Sequence, residues 1–326
     1  MTSDSAILAC GLTAAAVILP GPMLIHRLST RFSERIDSAS PELNQLHGGK
    51  AGTPTMGGLL IIVAFCLGLL SLPVSVSGNP HRPVLLLTVC SFGIAGAVDD
   101  WIKARTRRRG LAIRTKFLLQ LLLAVPTGYA VAMFRLQLAP ALTELSAAGF
   151  LRIAAETAWC SFVILATCNA VNLTDGLDGL ATGVVALISF TMAGVVLINT
   201  ATLEIAAPLV LLGTACLSFL KFNRFPALLF MGDTGSLAIG ALLATLCLLS
   251  KQEVALPCCG LALVLETVSV IAQVIWFRRT GERLLKCSPL HNHFVFLRIP
   301  EQQIVRKFWL LTAVAGLVTV GFAALI

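Results

Sequence analysis

The sequence predicts an all-α, polytopic membrane protein of about ten transmembrane helices, and three observations carry this prediction. Of its 326 residues, 57% are apolar and only 12% are charged, which is about half the charged fraction of a typical soluble domain. The apolar residues gather in runs of about 20, the length of helix that crosses a bilayer core of about 30 Å. Basic residues lie between these runs. Because the runs are too long and too uniform for barrel strands, we expect helices.

The candidate spans follow one another without an inserted soluble domain, an internal repeat or a low-complexity segment. We therefore expect residues 1–326 to form a single integral-membrane domain. The first run has no basic segment before it, so we interpret it as a retained transmembrane helix and not as a cleaved signal peptide. The predicted spans are 5–25, 55–73, 83–101, 117–134, 153–171, 179–199, 205–221, 235–250, 255–277 and 307–326.

Basic residues are distributed asymmetrically between the two sides of this predicted bundle. Loops 26–54, 102–116, 172–178, 222–234 and 278–306, with their flanking residues, hold all but four of the 24 Lys and Arg residues. Loops rich in Lys and Arg stay in the cytoplasm. We therefore predict that these loops are cytoplasmic and that both termini are periplasmic.

Neither the net charge of +8 nor the ten cysteines indicates a partner. The basic residues flank apolar runs instead of covering a soluble face, so we expect no nucleic acid. No Cys-x-x-Cys pair occurs, and most cysteines lie inside apolar runs. A cysteine in that position usually acts as a small apolar side chain.

Two neighbouring carboxylates, Asp99 and Asp100, end the third span and precede a basic run. Such a pair can be an ordinary solvated helix end. Adjacent carboxylates also repel each other, which favours a cation beside them, and Mg²⁺ takes oxygen ligands together with phosphates. The basic run does not discriminate, because it also suits anionic lipid head groups.

Four polar residues recur at spacing three in the stretch NAVNLTDGLDGL, namely Asn169, Asn172, Asp175 and Asp178. This spacing places them along one helical stripe, although two glycines predict a broken helix for part of it. Ionisable groups at membrane depth are functional candidates. A simple helix cap would explain one of the aspartates but not the whole set.

Two Gly-rich stretches lie on the same predicted side. One combines Lys50 with Gly, Thr and Pro, which suits close approach to a ligand or a plain helix entry. The other, KFNRFPALLFMGDTGS, places Asp233 just before a new span, where it could bind a ligand or cap the helix. Its Phe225 and Phe230 could pack in the core or stack on a base.

A third stretch, SPLHNHF, places His291 and His293 around Asn292. Two His at this spacing are a weak signal for zinc, and they could equally donate hydrogen bonds to phosphate. Taken together, the five stretches collect carboxylates for Mg²⁺, Lys and His for phosphate oxygens, and aromatic side chains for a base at one membrane face. This combination favours phosphoryl transfer at a membrane surface.

These motifs resemble those of one enzyme family, the phospho-N-acetylmuramoyl-pentapeptide transferases. This family lies within the superfamily of polyprenyl-phosphate N-acetylhexosamine-1-phosphate transferases. From about residue 48 to the C-terminus the chain shows, in the family's order, the segments KAGTPTMGG, VDDWIK, RTKFLLQ, NAVNLTDGLDGLATG, FNRFPALLFMGDTGSLAIG, ETVSVIAQV and SPLHNHF. The resemblance implies ten transmembrane helices and an active-site cleft at the cytoplasmic face.

The resemblance also implies a reaction. Phospho-MurNAc-pentapeptide would pass from UDP-MurNAc-pentapeptide to undecaprenyl phosphate, giving lipid I and UMP, with Mg²⁺ as cofactor. This is the first membrane step of peptidoglycan synthesis, and it implies the bacterial cytoplasmic (inner) membrane as the location. Two alternatives stay open: a related transferase of UDP-GlcNAc or another UDP-hexosamine and, more distantly, a transporter or flippase. The sequence leaves the oligomeric state open, a homodimer included.

The motif matches imply roles for single residues. Asp99, Asp100 and Asp233 match the catalytic acidic set, with Asp233 as the metal ligand. Lys103 and Lys116 match positions that bind phosphates. The other matches fall on the nucleotide side of the pocket: Lys50, Asn172, Asp175, Gly176, Leu177, Asp178, Asn223, Phe230, Gln273, His291, Asn292 and His293.

The chain departs from the family pattern at two positions. Asn292 stands where the family has the middle His of its loop motif, and Val295 stands where a Glu is expected. An Asn side chain forms hydrogen bonds but carries no charge. At position 292 the resemblance therefore implies a substrate contact by hydrogen bonding alone.

Overall fold

The computed structural model describes most of the chain. Positions 33–49 and 107–109, which belong to two of the predicted cytoplasmic loops, lie outside the described residues. The described residues are 3–30, 32, 50, 52–73, 81–106, 110–136, 147–200 and 203–325.

Regular structure in these residues is helical, which confirms the predicted fold class. The helices are α1 (Ser3–Ile18), α2 (Gly21–Ser29), α3 (Gly58–Ser71), α4 (Arg82–Arg105), α5 (Ile113–Arg135), α6 (Ala147–Thr174), α7 (Leu180–Thr200), α8 (Leu203–Asn223), α9 (Gly232–Leu249), α10 (Ala255–Cys259), α11 (Leu261–Thr280), α12 (Leu290–Phe296) and α13 (Glu301–Leu325).

Each of the ten predicted spans coincides with helix. Within the described ranges, nine helical segments are long and apolar enough to cross a membrane, and α3 is a shorter apolar helix of 14 residues. At 1.5 Å per residue α3 is about 21 Å long, which is less than the bilayer core. The apolar pattern did not predict α12, because α12 has only seven residues. On which side the termini lie stays a prediction.

Helix α9 lies at the centre of the bundle. Every residue from Asp233 to Leu248 is buried, and α9 packs against α3, α4 and α6. Small residues permit this packing: a Cβ atom at Gly96 of α4 would overlap the backbone carbonyl of Asp233, and Gly58 of α3 lies against Gly235. Between helices in lipid, close packing at small residues is a main source of attraction. These contacts bring the end of α4 against the start of α9.

Helix α4 has an exposed apolar face, and its last turns carry two buried carboxylates. Leu87, Ile94 and Val98 are exposed, and their spacing of seven and four places them on one helix face. Asp99 and Asp100 are buried on the side that packs against α9. The last turn of α4 therefore holds two carboxylates inside the bundle.

Candidate active site

Three predicted carboxylates meet where α4 ends and α9 begins. Asp99, Asp100 and Asp233 are all buried, and a carboxylate oxygen from each lies within 4.8 Å of the others. Asp99 and Asp100 are neighbours in sequence, whereas Asp233 joins them because Gly96 allows α4 to approach the first turn of α9. The structure thus brings together the acidic set that the motifs predicted.

Asp100 holds the start of α9 through both of its oxygens. The backbone N–H of Asp233 donates to Oδ1 at 3.0 Å, while the N–H and the hydroxyl of Thr234 donate to Oδ2 at 2.9 and 2.7 Å. A carboxylate is favourable here because the first N–H groups of a helix have no partner within the helix and carry partial positive charge. A Cβ atom at Gly232 would lie 2.5 Å from Oδ2 of Asp100, so glycine is required beside it.

Two lysines balance most of this negative charge. Lys103 Nζ lies 2.8 Å from Asp99 Oδ2 and 2.8 Å from Asp233 Oδ2. Lys116 Nζ lies 2.5 Å from the same Asp233 oxygen. Three carboxylates and two ammonium groups leave one net negative charge, and both lysines converge on Asp233.

Asn172 completes what we call the site cluster, which comprises Asp99, Asp100, Asp233, Lys103, Lys116 and Asn172. The amide of Asn172 donates to Asp233 Oδ1 at 2.7 Å and to Ser236 Oγ at 2.9 Å, and its oxygen accepts from Lys116 at 3.2 Å. The resemblance implied a place for Asn172 on the nucleotide side. That place stays a prediction, and the described contacts of Asn172 fix the Asp233 side chain.

A turn closes over Asp99. The backbone N–H of Leu111 donates to Asp99 Oδ1 at 2.6 Å. Gly110 precedes it with φ +96°, a conformation that favours glycine. A Cβ atom there would lie 2.7 Å from Asp99 Oδ1. This turn orients the Asp99 carboxylate so that Oδ2 faces the lysines.

A second polar group, the Lys50 clamp, consists of Lys50, Asp178 and Glu301. Lys50 Nζ lies 2.6 Å from Asp178 Oδ1 and 2.6 Å from Glu301 Oε1. Glu301 Oε1 also accepts the backbone N–H of Asp178 at 2.6 Å, and Asp178 Oδ2 accepts that of Ala227 at 2.9 Å. The clamp thereby connects four segments: the Gly-rich stretch around Lys50, the turn after α6, the 224–231 loop and the start of α13.

His291 forms a third group with a residue that sequence reasoning missed. Its ring Nδ1 lies 3.1 Å from Glu266 Oε2, and its backbone N–H donates to Glu266 Oε1 at 3.1 Å. Glu266 is fully buried in α11. The ring also lies directly against Gly176, in the turn that carries Asp175 and Asp178.

Other predicted residues serve the scaffold in this structure. Asn223 is buried, accepts from Thr182 at 2.8 Å and donates to the Leu229 carbonyl at 3.0 Å. Leu177 belongs to the apolar core. Phe230 is joined through its backbone to Pro54 and Gly57, at 2.8 Å in each case.

Two more predicted residues hold the loop between α11 and α12. The Gln273 side-chain oxygen accepts the backbone N–H of Leu285 at 2.7 Å, and His293 Nδ1 accepts that of Lys286 at 3.2 Å. Asn292 lies in the first turn of α12. The zinc interpretation gains no support, since in the described residues only the three aspartates form a group suited to a metal.

Sequence signals for the two missed glutamates differ. Glu266 is the only charged residue between Leu261 and Phe277, and an ionisable residue within a membrane helix is a functional candidate. Glu301 gives no such signal, because an acidic residue in the first turn of a helix is common.

The fold and the site together define a class of protein. A multi-pass helical bundle gathers carboxylates and ammonium groups at the ends of its helices, as an enzyme that handles phosphate-bearing substrates in a membrane requires.

Comparisons with known proteins identify the family. A family model described as glycosyl transferase family 4 matches residues 83–251. A second model, phospho-N-acetylmuramoyl-pentapeptide-transferase signature 1, matches residues 50–62, which include Lys50. The first match covers about half of the chain and includes the whole site cluster.

Curated relatives named phospho-N-acetylmuramoyl-pentapeptide-transferase match nearly the whole chain. The protein from Heliobacterium modesticaldum is 39% identical, over 96% of this chain and 96% of its own. Those from Desulforamulus reducens and Desulforudis audaxviator are 37% and 39% identical, over 95% of this chain and 93% and 97% of theirs. The chain belongs to glycosyl transferase family 4 and, at this similarity, to the phospho-N-acetylmuramoyl-pentapeptide-transferase family.

Proposed function

We propose that this protein transfers phospho-MurNAc-pentapeptide from UDP-MurNAc-pentapeptide to undecaprenyl phosphate, giving lipid I and UMP. The observation that carries the proposal is the buried site cluster in a chain of this family. The signature that includes Lys50 favours the muramoyl-pentapeptide substrate over UDP-GlcNAc or another UDP-hexosamine. A transporter would place charged groups near the bilayer midplane, whereas the site cluster lies at helix ends.

Charge explains why the site needs its lysines. The nucleotide sugar carries a pyrophosphate and the acceptor carries a lipid phosphate, so the two substrates repel each other. Lys103 and Lys116 converge on Asp233 Oδ2 at 2.8 and 2.5 Å, and flexible ammonium groups can move from a carboxylate to a phosphate. Lys50, held by two carboxylates, supplies the third positive charge, on the nucleotide side.

The donor set fits Mg²⁺. Carboxylate oxygens are the ligands this ion prefers, usually together with substrate phosphates. The oxygens of Asp100 accept hydrogen bonds from the start of α9. Asp233 Oδ2 and Asp99 Oδ2 face lysine ammonium groups instead, which can move away, so Asp233 and Asp99 are the residues that would hold the ion. Bound Mg²⁺ would neutralise pyrophosphate charge and make UMP a better leaving group.

The lipid phosphate needs little activation by a base. The second pKa of a phosphate monoester is about 6, so the acceptor is mostly dianionic at neutral pH. We favour direct attack on the sugar-linked phosphorus, with Asp99 orienting the acceptor and removing residual protons. The rival is a covalent aspartyl intermediate. Exchange of labelled UMP without lipid acceptor, or a phospho-sugar trapped on Asp99 or Asp100, would establish the rival instead.

We also propose how the protein is oriented in the membrane. We place the site cluster at the cytoplasmic face of the bacterial inner membrane and both termini in the periplasm, because Lys and Arg are concentrated in loops on the site side. Residues 1–326 act as one domain. The turn from Asp175 to Asp178, with the Lys50 clamp, forms the nucleotide side of the pocket.

Release of UMP by the purified protein tests the proposed reaction. We expect UMP only when polyprenyl phosphate, Mg²⁺ and UDP-MurNAc-pentapeptide are all present, and little when UDP-GlcNAc replaces the muramoyl nucleotide. Chelation of Mg²⁺ should stop the release. Equal or faster turnover of UDP-GlcNAc would assign the protein to the related sugar-phosphate transferases.

A further inference from the structure

Glu266 is a buried carboxylate with a single ionisable partner. Its side chain is fully buried within α11, and its only ion-pair partner among the described residues is His291. A carboxylate at this depth is costly unless its oxygens are bonded. The two oxygens accept the backbone N–H and lie within reach of the ring Nδ1 of a residue 25 positions further along the chain.

This contact determines which ring nitrogen of His291 is left for other partners. An ionised carboxylate can only accept hydrogen bonds, so Nδ1 carries the proton whether the ring is neutral or charged. The other nitrogen, Nε2, is buried and has no hydrogen-bond partner in the described part of the structure. A buried polar atom without a partner destabilises the protein.

Nε2 of His291 faces Gly176. A Cβ atom on Gly176 would overlap Nε2 and its neighbouring ring carbon. Gly176 lies in the turn between α6 and α7, two residues from Asp178 of the Lys50 clamp. Because Gly176 has no side chain, Nε2 faces the backbone of this turn.

We propose that Glu266 is a positioning residue: it holds the His291 ring by Nδ1 so that Nε2 becomes the atom that bonds the nucleotide-sugar substrate once the Gly176 turn moves aside. The inference rests on the proposed function and adds a residue to it. The substrate satisfies the nitrogen that has no partner in the free protein. Glu266 itself touches no substrate and acts through the ring.

Histidine isosteres test the identity of the atom. A Gln side chain places its terminal amide near the position of Nε2, whereas Asn reaches only the position of Nδ1. We expect His291→Gln to keep a measurable rate of UMP release and His291→Asn to lose it. Equal rates for the two variants, or a faster His291→Asn, would overturn the assignment of Nε2.

The role of Glu266 is tested by a double-mutant cycle. Glu266→Gln should raise the KM for UDP-MurNAc-pentapeptide about tenfold, the worth of one strong hydrogen bond, and leave the KM for polyprenyl phosphate within twofold. The His291→Gln background has no Nδ1 for Glu266 to hold. There, Glu266→Gln should change the KM for UDP-MurNAc-pentapeptide by less than about twofold. An undiminished effect there, or equal rises in both KM values, would contradict the proposal.

Two further measurements keep the test decisive. Binding of UDP-MurNAc-pentapeptide in the absence of polyprenyl phosphate, measured by calorimetry, reports the same cycle for variants that turn over too slowly. Glu253→Gln, an equivalent change in a buried ion pair at the other end of the bundle, should lower thermal stability and shift neither KM. An active wild-type protein whose cycle is additive would leave the proposed function standing and remove only this inference.

Discussion

Helices α5, α6 and α9 carry a polar cluster at each end, and the two clusters are built differently. At one end Lys116, Asn172 and Asp233 belong to the site cluster. At the other end Arg135 binds Glu156 and Glu253. We call this second group the far-end clasp.

In the far-end clasp, the Arg135 guanidinium forms hydrogen bonds through all three of its nitrogens. The Arg135 guanidinium contacts Glu156 through Nε, lies 2.9 and 2.7 Å from the two oxygens of Glu253, and reaches the Leu248 carbonyl at the end of α9 at 2.5 Å. A planar guanidinium with all three of its nitrogens engaged holds its partners rigidly. Its geometry ties three segments together.

The site cluster instead directs two flexible ammonium groups at one oxygen, Asp233 Oδ2. The side chains of Lys103 and Lys116 are 35% and 20% exposed, against 12% for Arg135, so they can exchange partners. In this bundle the cluster held by an arginine is rigid, whereas the cluster in which two lysines share one oxygen can rearrange.

Removing one of these lysines should slow the reaction strongly. Lys116→Met keeps the length of the side chain and removes its charge from Asp233 and from the substrate phosphates. We expect the rate of UMP release to fall about 100-fold, as when one preorganised donor is lost from an active site. Thermal stability should stay near that of the wild type, and an unchanged rate would place Lys116 outside the mechanism.

Asp100→Asn should affect both activity and stability, because Asp100 joins the site cluster to the start of α9. An Asn in its place cannot accept at both oxygens from the N–H groups of Asp233 and Thr234. We expect a loss of about 1–2 kcal/mol of stability, as for other helix caps, and about tenfold lower turnover. Thermal unfolding and UMP release on the same preparation check this. A stable variant whose turnover falls far more than tenfold would instead indicate that Asp100 takes part in catalysis directly.

Gly110→Ala tests the turn over Asp99. The added Cβ would lie 2.7 Å from Asp99 Oδ1, so the carboxylate must shift, and we expect turnover to fall about threefold to tenfold. Gly281→Ala is the matched control, since Gly281 also has positive φ, +76°, and its Cβ would meet nothing within 4 Å. Both variants carry backbone strain, and equal kcat values for the two would refute the orienting role of the turn.

Arg135→Lys should have the smallest effect on activity. A lysine keeps the charge of the far-end clasp but cannot reproduce the fork that binds both oxygens of Glu253. We expect a stability loss of about 1–2 kcal/mol with kcat within twofold of the wild type. A lowered kcat in the folded variant would mean that the two ends of the bundle are coupled.

Much of the fold could be predicted from the sequence, because lipid imposes a local rule. A run of about 20 apolar residues must be helical to satisfy its backbone, and this placed α4 through α9. The pattern could not predict α12, whose seven residues carry no such signal. It also missed that α10 and α11 are separate helices, since the break at Gly260 lies within an apolar run.

The members of the site were easier to predict than their contacts. Asp99, Asp100 and Asp233 lie in motifs, but that Asp100 binds the start of α9 depends on a crossing at Gly96 that only the folded bundle shows. Asn172 is predicted to lie beside the nucleotide, and its contact with Asp233 could not be read from the motif. Glu301 meets Asp178 across 123 positions of sequence, a distance over which local patterns carry no information.

The most direct test of the account makes the same kind of substitution in the site cluster and in the far-end clasp. Asp233→Asn and Glu253→Gln each replace a buried carboxylate by its amide, and UMP release is measured at saturating UDP-MurNAc-pentapeptide and undecaprenyl phosphate over a range of Mg²⁺ concentrations. We predict that Asp233→Asn folds but loses turnover at least about 1,000-fold at every concentration, while Glu253→Gln loses stability and keeps its kcat. Near-normal turnover of Asp233→Asn at limiting Mg²⁺ would contradict the account.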